Sequence, residues 1–118
     1  GAAVAAIGRT LPVTALCVVT RTGSSARMVS HYRPEVPILA FTPLPETYRR
    51  LSLLWGVEPV QTRFADGEAD YYAQVEGLLR ARGYAREGDT VVVTGGHPIA
   101  GGGPTNFLKI LVLPAPPR

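Results

Sequence analysis

The chain has 118 residues, 46% of them apolar and 18% charged, the composition of an ordinary globular domain rather than a disordered segment. That length suits one domain with a single buried core, and the lone cysteine, Cys17, excludes an internal disulfide. The net charge of +3 rests on scattered arginines with one lysine, Lys109, and there is neither an aromatic-basic signature nor a long apolar run or signal pattern, so nucleic acid and membranes are not expected partners.

Ala2 to Arg9 is short, Ala-rich and capable of helix, and reads as the tail of a longer element, with Gly1 a cloning remnant. Val13 to Thr20 is a continuous apolar run with β-branched residues, as in a strand covered on both faces, and Cys17 sits in its middle as a small core residue. The hydroxyl-rich turn Thr20-Arg21-Thr22-Gly23-Ser24-Ser25 follows. Ser24 to Tyr32 then supplies a helix, ended by Arg33-Pro34 because the residue before proline is pushed out of the α region.

Pro37 to Thr42 is a second strand. Glu46 to Trp55 reads as a helix with Leu51, Leu54 and Trp55 inward and Gly56 as its stop. Val57 to Thr62 is a shorter strand, and Glu68 to Arg82 a longer helix with Tyr71, Val75, Leu78 and Leu79 inward before Gly83. Thr90 to Thr94 is the fourth strand, after a Gly88-Asp89 turn. A glycine-rich loop, Gly95 to Asn106, leads to a fifth strand over Phe107 to Leu113, and Asn106 reads as the turn former that ends the loop. Strands alternating with helices give a parallel sheet, but a loop of roughly a dozen residues with no crossover helix favours an antiparallel return. The expectation is therefore an α/β fold, a three-layer α/β/α sandwich whose five-stranded sheet is parallel except for its last strand. The tail Pro114 to Arg118 should be irregular.

The turn between the first strand and first helix carries the clearest chemistry. The first N–H groups of a helix have no intrahelical acceptor and sit at the positive end of its dipole, so a phosphate is satisfied there by backbone donors. Thr20, Thr22, Ser24 and Ser25 add hydroxyls, while Gly23 allows close approach or a positive φ. The same residue types also serve as plain helix caps that bind only water. No catalytic constellation accompanies the turn: two histidines, one cysteine and nine scattered acids give no metal-ligand spacing, no GxSxG elbow and no Walker A motif. The glycines Gly95-Gly96 and Gly101-Gly102-Gly103 are followed by a strand, whereas a dinucleotide loop needs a helix.

Beyond the turn runs Ala26-Arg27-Met28-Val29-Ser30-His31-Tyr32-Arg33-Pro34, then Pro37-Ile38-Leu39-Ala40-Phe41-Thr42. With the turn, these segments resemble the C-terminal domain of pyruvate kinase, with its T-x-[ST]-G turn, A-R-x-[VI]-S-x-Y-R-P and P-I-x-A-x-T. Trp55-Gly56-Val57-Glu58-Pro59-Val60, Glu87-Gly88-Asp89-Thr90-Val91 and the loop Gly95 to Asn106 continue the resemblance collinearly over nearly the whole chain.

The resemblance implies one domain over residues 1–118, with its first helix cut short and the catalytic barrel absent, and the strand order 3-2-1-4-5. In that order the winding reverses between strands one and four, where ligands of open α/β sheets bind beyond the carboxyl ends. The family's corresponding loops hold a sugar-phosphate effector. By resemblance Thr20, Thr22, Gly23, Ser24 and Ser25 are the phosphate-site candidates, and Gly101, Gly102 and Gly103 lie in the covering loop. Candidate effectors are a sugar phosphate, AMP or inorganic phosphate.

Where fructose 1,6-bisphosphate-regulated relatives place an arginine, this chain has Tyr71 and Tyr72, so a second phosphate lacks a cationic partner unless Arg86 or His97 supplies one. A site for one phosphate is therefore favoured. Arg27 reads as a solvated side chain or the partner of an acid on its own or a neighbouring subunit. The parent enzyme would move a phosphoryl group from phosphoenolpyruvate to ADP in the cytoplasm, using Mg and K ions bound by the barrel and its cap. This chain alone is expected to be non-catalytic, with effector sensing and homo-oligomer contact through the domain face and Phe107 to Leu113 as its work. The rival reading is a stand-alone domain of the same fold, a small phospho-ligand-binding protein or enzyme.

Overall fold

The computed structural model describes residues 12–63, 68–96 and 105–115, with only the backbone described at 68–71, 96 and 105–107. The expected helix over Ala2 to Arg9 lies outside these residues. In chain order the elements are β1 (Ala15–Val19), α1 (Ser24–His31), β2 (Ile38–Thr42), α2 (Pro45–Leu51), β3 (Val57–Gln61), α3 (Glu68–Ala81), β4 (Thr90–Gly96) and β5 (Thr105–Val112). The sheet runs β3-β2-β1-β4-β5, with β1, β2, β3 and β4 parallel and β5 antiparallel to β4. Both the order and the reversed last strand agree with the sequence reading.

The period-two geometry of β1 divides the core. Ala15, Cys17 and Val19 face one side, where Val75 and Leu79 of α3 pack with Leu39, Phe41, Val91 and Val93. Leu16 and Val18 face the other, against Ala26 and Val29 of α1 and Leu51 of α2, with Ile38, Ala40 and Val92. Every residue of β1 and β2 is buried, which explains why both read as unbroken apolar runs rather than alternating ones.

The larger departures from the sequence reading each have a local reason. Helix α2 stops at Leu51 instead of Trp55: the following N–H groups of Leu53 and Leu54 reach back only three residues, to Arg50 and Leu51. That tightening carries Trp55 past the helix, 48% exposed, with the Arg33 guanidinium 5.2 Å above its ring. Gly56, expected as the stop of this helix, instead lies beyond its C-cap Ser52, at φ 69° in the turn that leads into β3.

Strand β4 extends through Gly95 and Gly96, and β5 starts at Thr105, so Asn106 is in the strand rather than ending the loop. Gly95 pairs with Phe107 and Gly96 with Thr105, which leaves Asn106 as the extra residue of a bulge. Tyr72 of α3 also packs against the core, with the Lys109 ammonium 4.5 Å from its ring, and the side chain of Tyr71, expected to face inward, lies outside the described residues. No helix among the described residues is long and apolar enough to cross a membrane.

Candidate functional site

The site begins where β1 leaves the sheet. Thr20 is buried, and its N–H still donates to the Phe41 carbonyl at 2.9 Å, so the turn starts from a fixed point. Its Oγ1 then accepts the Gly23 N–H at 2.8 Å, folding the chain back on itself. Gly23 adopts φ 94°, the left-handed region where an L side chain costs roughly 1–2 kcal/mol, and its carbonyl accepts the Arg27 N–H at 2.9 Å to start α1. The glycine in this turn is therefore a conformational requirement of the helix start.

Thr22 and Ser24 stand outside this frame. The Thr22 hydroxyl accepts the Ser24 N–H at 3.4 Å and lies 3.3 Å from Ser24 Oγ, and both side chains are exposed. Ser25 is half-buried beside them. The first turn of α1 contains no acidic residue, whereas Glu46 occupies the first turn of α2. The positive end of the α1 dipole is thus left without a carboxylate of its own, bordered by hydroxyls that can donate.

Sheet register brings the second loop to the same place. Val19 pairs with Gly95 across β1 and β4, and Gly96 pairs with Thr105 across β4 and β5. The end of β4 and the start of β5, at Gly96 and Thr105, therefore lie beside the β1 exit. Helix α1, after β1, covers one face, and α3, before β4, covers the other, so the winding reverses between these two strands.

Of the sequence candidates, the structure gathers Thr20, Thr22, Gly23, Ser24 and Ser25 into one turn. Gly101, Gly102 and Gly103, and with them His97, lie outside the described residues. Arg86 is set apart: it precedes β4, its N–H donates to Asp89 Oδ2 at 3.0 Å, and the parallel sheet puts it at the opposite end from Thr20. It is a turn residue at that end of the sheet, away from the β1–α1 turn. Arg27 is exposed on α1, and Arg33 belongs to the far end of that helix, stacked on Trp55.

Two residues of α2 that the sequence reading passed over border the turn. Thr47, fully buried, donates its hydroxyl to the Arg21 carbonyl at 2.6 Å, and the Arg50 guanidinium lies 3.4 Å from Thr47 Oγ1. The signal was present: Thr47, Leu51 and Leu54 are spaced four and three apart, on one helix face, so a threonine heads an apolar stripe and requires a polar partner. Among the described residues no His, Cys, Asp and Glu side chains group as a metal site.

A family model described as "Pyruvate kinase, alpha/beta domain" matches residues 1–111. The chain is 40% identical over 104 residues to the pyruvate kinase of Clostridium acetobutylicum, covering 87% of this chain and 22% of that protein. It is 36% identical over 113 residues to pyruvate kinase 2 of a Synechocystis species, covering 96% of this chain and 19% of that one. The pyruvate kinase of Staphylococcus aureus is 36% identical over 110 residues, or 93% and 19% of the respective chains. The chain thus spans about a fifth of the length of these relatives.

Proposed function

The chain belongs to the pyruvate kinase family, as its C-terminal α/β domain, and from that membership we propose that it is the regulatory and oligomerisation unit of a pyruvate kinase, binding a phosphate-bearing effector at the β1–α1 turn. The parent enzyme transfers the phosphoryl group of phosphoenolpyruvate to ADP in the cytoplasm, with Mg and K ions held by its barrel. This domain contributes sensing and assembly, and by itself does not catalyse the transfer, which needs positioned charges that stabilise the transition state.

The observation that carries the reading is the helix start without a first-turn acid, preset by Thr20 and Gly23 and lined by the exposed Thr22 and Ser24 hydroxyls. A dianionic phosphate seated there is met by the α1 dipole and by hydroxyl donors, with the β4–β5 segment starting and ending beside it. One phosphate is favoured over two, because Arg86 is at the wrong end of the sheet and Tyr72 is committed to the core.

Assembly is supported by the difference between the two sheet edges. The β3 edge carries Pro59, which has no N–H to donate, whereas β5 carries no proline and exposes Leu108, Ile110 and Val112.

The test is calorimetric titration of the chain with fructose 1,6-bisphosphate, ribose 5-phosphate, glucose 6-phosphate, AMP and inorganic phosphate, beside a Ser24→Asp variant. A carboxylate at the helix start occupies the anion position while favouring the dipole, so the variant should fold at least as well and bind no effector. An effector at a hundredfold excess over its Kd should raise the unfolding free energy by roughly 2.7 kcal/mol in the original chain alone. Equal binding by both chains would remove the turn from the site.

A further inference from the structure

A hydroxyl buried in the apolar face of a helix must find a partner or incur a desolvation penalty. Thr47 finds one outside its own helix. It is completely buried in α2, and its O–H donates at 2.6 Å to the carbonyl of Arg21, 26 residues earlier and in the other crossover unit. Its methyl and Leu51 form the wall behind Gly23: a Cβ built there would lie 3.7 Å from Thr47 Cγ2 and 3.6 Å from Leu51 Cδ2. The bond and the wall act on the same stretch, Arg21 to Gly23. On its other side the stretch is held by the Thr20 hydroxyl accepting the Gly23 N–H.

We propose that Thr47 is a positioning residue for the effector site: by anchoring the Arg21 carbonyl it fixes the peptide plane that leads into Thr22. It thereby aims the Thr22 hydroxyl and the Gly23–Ser24 backbone at one point. This rests on the reading of the β1–α1 turn as a phosphate site and names the residue outside the turn that sets its geometry. It also ties occupancy of the turn to α2, because any shift of the Arg21 peptide loads a bond whose other end is fixed in the core. Arg50, 3.4 Å from Thr47 Oγ1, supplies a donor to that oxygen, so the threonine both gives and receives.

Two variants separate the hydroxyl from the packing. Thr47→Val keeps the shape and loses the O–H; Thr47→Ser keeps the O–H. Should the valine form fail to fold, Thr47→Ala is the substitute truncation. The first readout needs no ligand: amide hydrogen exchange at Thr22, Gly23 and Ser24 should quicken about tenfold in Thr47→Val, the size expected for one hydrogen bond, with Cys17 and Val18 unchanged and Thr47→Ser like the original chain. The second is calorimetric affinity for inorganic phosphate, about tenfold weaker in Thr47→Val and within about twofold in Thr47→Ser.

Unchanged exchange in Thr47→Val overturns the positioning role whatever phosphate does, as does quickened exchange with unaltered phosphate affinity. Quickened exchange in a chain whose original form binds no phosphate overturns the effector reading and reduces Thr47 to a structural anchor. The two failures are therefore distinguishable.

Discussion

Cys17 is withdrawn from chemistry by its place in the middle of β1. Fully buried between the sheet and α3, its thiol is pushed up to about 12 by desolvation, from an ordinary value of 9.0. In the folded chain it stays protonated until that pH, whereas in the unfolded chain it ionises near pH 9. Between these values the unfolded state binds fewer protons, so the contribution is complete below pH 9 and is lost as pH rises towards 12. Tyr84, raised by burial and by Glu58, drives stability in the same direction.

Urea denaturation from pH 8 to 11 should therefore show falling stability, and Cys17→Ala should flatten the slope by up to about 1.4 kcal/mol per pH unit. A thiol reagent at pH 8 should label the unfolded chain and spare the folded one. Rapid labelling of the native chain would place the thiol at the surface. Core burial of this residue was legible from the apolar run around it. For Thr47 the apolar stripe showed that its hydroxyl needs a partner, but not which one, because that partner is a backbone carbonyl and no side-chain motif reports one.

Among the elements, helix starts were more legible than helix ends. The start of α1 was marked by Gly23 and two serines, while the end of α2 depended on Leu53 and Leu54 tightening to three-residue bonds, which leucine spacing does not reveal. Gly95 and Gly96 read as loop because glycine is poor in strands, yet they are held in β4 by pairing with Phe107 and Thr105 around the Asn106 bulge.

The same ladder makes β5 an edge. Leu108, Ile110 and Val112 alternate along it, 41%, 47% and 61% exposed, while Leu111 packs into the core and Lys109 covers Tyr72. If this edge joins copies of the chain, sedimentation at micromolar concentration should give a dimer or larger species, and Ile110→Glu should shift it to monomer with an unchanged circular dichroism spectrum. A monomeric original chain would remove β5 from assembly.

At the scale of the molecule, the alternation of strands and helices and the helix-free return to β5 were enough to give the layers and the antiparallel last strand. The strand order came from resemblance, since nothing local in the chain says that β4 lies beside β1. That pairing underlies the proposed site: Val19 beside Gly95 brings the ends of β1 and β4 to the point where the winding reverses, and it separates Thr20 from Arg86 by the length of the sheet. The glycines 101–103 fall outside the described residues; Gly96 and Thr105, at the ends of β4 and β5, lie on the side of the sheet where β1 leads into the turn.

The most direct test of that account is a nitrogen–proton correlation spectrum of the labelled chain titrated with fructose 1,6-bisphosphate and, separately, inorganic phosphate. Saturable shifts centred on Thr22, Gly23, Ser24 and Ser25, with the opposite end of the sheet at Arg82 and Arg86 unmoved, are the expected result. No shift at the turn, or shifts confined to those distant arginines, would contradict it.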